Sequence, residues 1–113
     1  MVADRPEGRA GGKGLGFNGA ELLAAALGGC FWNDLHYAAD AAGAEVNVYA
    51  VDVDVTLDGT PPRVVAARIA ARLSAAAPEM ARQVFDAACA DSTIANSIRS
   101  AVPVTFDLEE PLP

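Results

Sequence analysis

The chain has 113 residues, of which 52% are hydrophobic and 6% aromatic, enough for one compact core and too few for two. A net charge of −7, with eight basic residues scattered along the sequence, argues against nucleic acid and anionic membrane as partners, which are bound through clustered Lys and Arg. The longest apolar run is broken by Gly28, Gly29, Asn33 and Asp34, so neither a signal peptide nor a membrane span is expected, and a cytoplasmic protein is.

Residues 1–16 place Gly8, Gly11, Gly12, Gly14 and Gly16 among polar groups without an apolar period, and read as an irregular or mobile lead-in to a single domain over 17–113. The first helix is well specified. Asn18 can cap it, Glu21 stands where a capping box needs its partner, and Phe17 can staple onto Leu22. Leu23, Leu27, Cys30, Asp34 and Leu35 fall near one stripe, and Leu22, Ala26 and Phe31 widen it, which predicts a central, mostly buried helix ending at Gly43. From Val46 to Leu57 the period becomes two, with Tyr49, Val51, Val53, Val55 and Leu57 on one face and Asp52, Asp54 and Thr56 on the other. After the Asp58-Gly59 turn, Arg63 to Ser74 reads as a second strand with Ile69, Ala71 and Leu73 opposing Arg68, Ala70 and Arg72. Pro78 and Glu79 open a second helix to about Ala90, with Met80, Val84, Phe85 and Ala88 on its apolar side. Asp91 or Ser92 can cap a short helix through Arg99, Val102 to Leu108 alternates as a closing strand, and the acidic tail at Glu109 and Glu110, with its flanking prolines, reads as solvated. Alanine supplies much of the apolar content, so each core position buries little area and oligomerisation is a natural remedy.

The chemistry concentrates on Cys30, which follows Gly28 and Gly29 inside the apolar helix. Two helical glycines cost about 2 kcal/mol relative to alanine, and close approach of another element beside Cys30 would offset that cost. A nucleophilic thiolate needs a helix N-terminus or a cation near it. Cys30 has neither in its immediate sequence, and Asp34 one turn on disfavours a thiolate if the two side chains face each other. His36 lies six positions after Cys30, off its face, so a Cys-His dyad is not expected. Zinc-ligand spacings, a serine nucleophile elbow and a phosphate loop are absent from the sequence. Two cysteines in a reducing compartment read as buried thiols or a redox pair, not a structural staple.

The segment Gly16-Phe-Asn-Gly-Ala-Glu-Leu-Leu-Ala-Ala-Ala-Leu-Gly-Gly-Cys30 resembles the signature of the OsmC and Ohr family, the osmotically induced and organic hydroperoxide resistance proteins. The resemblance runs from Asp4 to Phe106 and includes the segment Ala95-Asn-Ser-Ile-Arg-Ser-Ala-Val-Pro-Val-Thr105. It implies an α+β fold with a long central cysteine-bearing helix packed on antiparallel strands, in an intertwined homodimer with two sites at the subunit interface. It also implies thiol-dependent reduction of organic or fatty-acid hydroperoxides, recycled by an external thiol or dithiol and needing no cofactor or metal. Cys30 matches the peroxidatic cysteine, whose sulfenic acid a second thiol condenses to a disulfide. The resolving position falls at Ser92, and Cys89, three residues earlier, is the candidate substitute. The glutamate that supports the family's catalytic arginine aligns with Ala20. That arginine belongs to a strand ahead of the glycine-rich segment, for which Arg5 and Arg9 are the nearest candidates here. The alternatives are a catalytically impaired homodimer that binds a small apolar ligand at its interface, and a helix interface that serves assembly alone.

Overall fold

The computed structural model describes residues 1–110; the prolines Pro111 and Pro113 lie outside them. The elements run α1 (Gly19–Ala42), β1 (Val46–Asp58), β2 (Arg63–Ala75), α2 (Pro78–Asp91), α3 (Thr93–Ile98) and β3 (Val104–Glu109). The glycine-rich segment before α1 is irregular but tied together. The Asp4 carboxylate accepts from the backbone N–H groups of Arg5, Lys13 and Leu15 at 2.7, 3.0 and 3.0 Å, and those bonds, that from Leu15 foremost, hold the acid below the usual carboxylate range.

α1 starts where its capping chemistry places it. Asn18 Oδ1 accepts from the Glu21 N–H at 2.9 Å, while the Asn18 N–H donates to Glu21 Oε1 at 3.0 Å. It stops at Gly43, whose φ of 64° is the left-handed conformation that a C-terminal glycine adopts without a Cβ penalty. Within the chain only one face of α1 is covered. Leu27, Phe31, Leu35 and Ala39 are buried at successive intervals of four, whereas Ala26 and Trp32 are exposed, so the expectation of a mostly buried helix is corrected to burial on one stripe.

That stripe lies on a three-stranded sheet of order β1-β2-β3. β1 and β2 pair antiparallel, but β3 pairs parallel to β2, from Ala67 opposite Val104 to Arg72 opposite Glu109. The sheet is therefore mixed, which corrects the expectation of antiparallel strands alone. The cause is the connection: α2 and α3 carry the chain back to the start of β2, so β3 runs in its direction, as a helical crossover requires. β2 is central, with Ala67, Ile69, Ala71 and Leu73 buried beneath α1 and α2.

β1 departs from simple alternation at two places. Pairing shifts register between Val48 and Ala50 and again between Thr56 and Leu57. Val46, Val48, Val51, Val53 and Val55 consequently pack on the core, while Tyr49 and Leu57 are exposed at 59% and 49% instead of sharing the valine face. The Tyr49 hydroxyl meets Ser74 Oγ at 3.0 Å on the outer surface. Glu109 also departs from its reading as solvated tail. It ends β3 half-buried and pairs with Arg72 at 3.0 Å and Arg68 at 3.2 Å. Arg68 also binds Asp107 at 2.6 Å, so the outer face of β2 and β3 is laced by charge, in exposed pairs that solvent screens.

The core centres on Phe31, whose ring meets Phe85 of α2 edge-on at 5.7 Å and Phe106 of β3 at 5.1 Å. One residue thus joins helix layer and sheet.

Candidate functional site

Cys30 precedes Phe31 and lies half-buried at the edge of this core, on the side of α1 that meets α2 and α3. Gly28, two residues earlier, lets β1 come close. A Cβ there would lie 3.1 Å from Val53 Cγ2, a contact tight enough to force the valine to give. Gly29 faces open space, and a Cβ at that position would meet nothing within 4 Å. The close approach expected of the glycine pair thus belongs to Gly28 alone.

The sulfur of Cys30 has two partners. It donates to Asp34 Oδ2 at 3.5 Å, so the two residues one turn apart do face each other. From the other side, Ser92 Oγ donates to Cys30 Sγ at 3.9 Å. Ser92 is completely buried and sits at the junction of α2 and α3. Its position would allow the hydroxyl to cap α3, as the sequence suggested, yet it makes no cap bond. Two clasps hold the junction: Asn96 Nδ2 donates to the Ala90 carbonyl at 2.9 Å, and Arg99 Nη2 to the Cys89 carbonyl at 3.4 Å.

Cys89 occupies the last turn of α2, half-buried against the core, and is a free thiol like Cys30. Burial first and the neighbouring Asp86 carboxylate second push this thiol up to about 11, against the weaker opposing pull of Arg82 and Arg99. The side chain that reaches Cys30 from this end of α2 is therefore a serine three positions further on.

Arg68, Arg72, Arg82 and Arg99 bond to groups other than Cys30. Arg68 and Arg72 serve the outer sheet face, Arg82 pairs with Asp86 at 3.7 Å and lies 5.4 Å over the Phe85 ring, and Arg99 binds the Cys89 carbonyl. His36 is turned toward its own helix, with Nδ1 2.8 Å from the Trp32 carbonyl oxygen and its ring beside the Trp32 indole. Among the described residues there is no group of three or more His, Cys, Asp or Glu side chains placed to hold a metal ion, and no helix long and apolar enough to cross a membrane. An open groove of about 580 Å³ lined by Met1, Val2, Leu15, Phe17 and Glu21 includes neither cysteine. Local sequence patterns did not reveal the Ser92 contact, since a serine before a short helix reads as a cap; only its alignment with a cysteine position pointed to Cys30.

Comparison with curated proteins finds no match. Among solved structures, an organic hydroperoxide resistance protein OsmC from Legionella pneumophila superposes with a TM-score of 0.74 at 22% identity, covering 88% of this chain and 74% of that one. OhrB of Bacillus subtilis gives a TM-score of 0.70 at 21% identity, with 83% and 71% covered. A putative organic hydroperoxide resistance protein from Vibrio cholerae, with captopril bound in one of its active sites, gives 0.72 at 24% identity, with 87% and 69% covered. These likenesses establish a common fold. The family model for OsmC-like protein matches residues 11–107, a span that takes in the Cys30 helix, the Ser92 junction, β1, β2 and the first four residues of β3, and the chain therefore belongs to the OsmC-like family.

Proposed function

We propose that the protein takes part in peroxide-stress defence as a thiol-dependent reductase of organic hydroperoxides, with Cys30 as the reacting thiol. The observation that carries this reading is the placement of Cys30 in the OsmC-like segment, half-buried instead of sealed, with Ser92 Oγ directed at its sulfur. In the reaction the Cys30 sulfur attacks a peroxide oxygen, an S–O bond forms as the O–O bond breaks, and the departing alkoxide takes up the proton that the thiol gives. The products are an alcohol and a Cys30 sulfenic acid, which an external thiol reduces. No cofactor or metal enters, and a cytoplasmic setting would supply the reducing thiols.

The same reading includes a homodimer. Its support is the shape of the protomer, 50 × 29 × 25 Å with a radius of gyration of 16.0 Å, against about 13 Å for a compact chain of this length. The exposed aromatic side chains Trp32 and Tyr37 on the uncovered part of α1 add to it.

A second reading, a homodimer that binds a small apolar ligand without turnover, is favoured by Asp34. The Cys30 thiol is hydrogen-bonded to a carboxylate, where an activated thiol has a cation. Consumption of cumene hydroperoxide in the presence of dithiothreitol separates the two. Turnover that disappears in Cys30→Ser supports the reductase; no turnover in either protein supports the ligand-binding reading.

A further inference from the structure

An oxidised Cys30 needs a second sulfur to return to the thiol, and the geometry around it limits where that sulfur comes from. The side chain directed at Cys30 Sγ from the α2–α3 junction is the Ser92 hydroxyl, 3.9 Å away, and an alcohol cannot form an S–S bond. Position 92 is completely enclosed, and the Asn96 and Arg99 clasps on either side fix it. The other thiol of the chain, Cys89, lies a turn earlier on α2, packed against the core. With its ionisation pushed to about 11, Cys89 presents roughly one thiolate in ten thousand at neutral pH, too few for prompt attack.

Resting on the peroxide reading above, we infer that Cys30 works as a one-cysteine site, whose sulfenic acid is discharged by a small external monothiol through a mixed disulfide. The external sulfur attacks the Cys30 sulfur, the S–S bond forms as the S–O bond breaks, and the hydroxyl leaves as water with the proton of the incoming thiol. A second monothiol then attacks the external sulfur of the mixed disulfide. Cys30 leaves as the free thiol, and the two external molecules depart as their disulfide, having supplied the two electrons. The half-buried position of Cys30, bounded by Asp34 on one side and Ser92 on the other, suits a slender thiol better than the surface of a folded reductase.

The test combines chemical trapping with one substitution that supplies the missing sulfur. The wild-type protein, treated with one equivalent of cumene hydroperoxide and then dimedone, is expected to carry the dimedone adduct at Cys30 and none at Cys89. Glutathione added before dimedone is expected to replace the adduct with a mixed disulfide at Cys30. In Ser92→Cys the adduct is expected to fall about tenfold, with a disulfide between Cys30 and the introduced thiol in its place. A Cys30–Cys89 disulfide in the peroxide-treated wild type overturns the inference, and so does an adduct that glutathione leaves untouched. The wild-type arms decide even if Ser92→Cys folds poorly. Diamide oxidation of Ser92→Cys, which needs no peroxide, separates the geometry from the peroxide chemistry. If diamide forms the cross-link while peroxide leaves wild-type Cys30 unmodified, the peroxide reading fails although the proximity of the two positions stands. A folded Ser92→Cys that diamide does not cross-link overturns the one-cysteine geometry itself.

Discussion

The two cysteines sit on neighbouring helices and meet different surroundings. Cys30, midway along α1, has polar partners on two sides, a carboxylate and a hydroxyl, at the edge of the core. Cys89, in the final turn of α2, is packed among apolar groups, with a carboxylate nearby that adds to the cost of ionising it. Cys30 meets one hydrogen-bond acceptor and one donor, whereas at Cys89 burial and Asp86 penalise charge on sulfur and Arg82 and Arg99 offset only part of that penalty. The helix that bears a thiol matters less than what its neighbours do when the sulfur ionises.

Alkylation kinetics test this contrast most severely. The rate of Cys89 modification by iodoacetamide is expected to climb by about five-thousandfold between pH 7 and pH 11, tracking thiolate that forms only near 11. A plateau by pH 9 would show that burial does not restrain it. The same shift has a sign for stability. The thiol ionises at about 11 when folded against 9 ordinarily, so its ionisation favours the unfolded chain, and stability is retained below pH 9 and declines as pH rises through 11.

Removing the shared support should blur the contrast. Phe31 touches Phe85 of α2 and Phe106 of β3 and is wholly buried, so Phe31→Ala is expected to cost about 3–5 kcal/mol in urea unfolding and to speed alkylation of both cysteines. A loss under 1 kcal/mol would mean that the two thiols do not depend on one core.

A smaller change sharpens the Cys30 side alone. Asp34→Asn removes the carboxylate that accepts the Cys30 thiol proton at 3.5 Å, and alkylation of Cys30 is expected to speed up with Cys89 unaffected. An unchanged or slower rate would assign the carboxylate a different part. The smallest effect concerns the glycine pair beside Cys30. Gly29→Ala is expected to stabilise the fold by up to about 1 kcal/mol, since its methyl meets open space, and Gly28→Ala to give less because of Val53. Equal gains from both would remove the case for a close approach at Gly28.

Much of the fold was legible because local chemistry and tertiary demand agree. Asn18 with Glu21 and Gly43 bracket α1, Pro78 opens α2, and the alternation of Ile69, Ala71 and Leu73 marks the buried face of β2. The reading failed where the information is not local. The direction of β3 follows from the path of α2 and α3 and not from its own alternation. Tyr49 looked like a continuation of the valine face, because a bulge leaves no mark in a period-two pattern except the residue it displaces. At the candidate site, Cys30 stood out through its motif. Its contact with Ser92 spans 62 positions, and short-range periodicity carries no trace of such a pairing.

The displaced Tyr49 also bears on how this hairpin can change in length. With register offsets near both ends of β1, the strand is keyed to β2 at fixed points, and sliding it by one residue would turn Asp52 and Asp54 toward α1 and Val51 and Val53 away from it. Insertions in the Asp58–Arg63 connection can therefore lengthen the tip and leave the floor under Gly28 in place. An insertion between the two offsets would act like a frameshift read in three dimensions, reversing the polarity of every residue that follows until the next bulge.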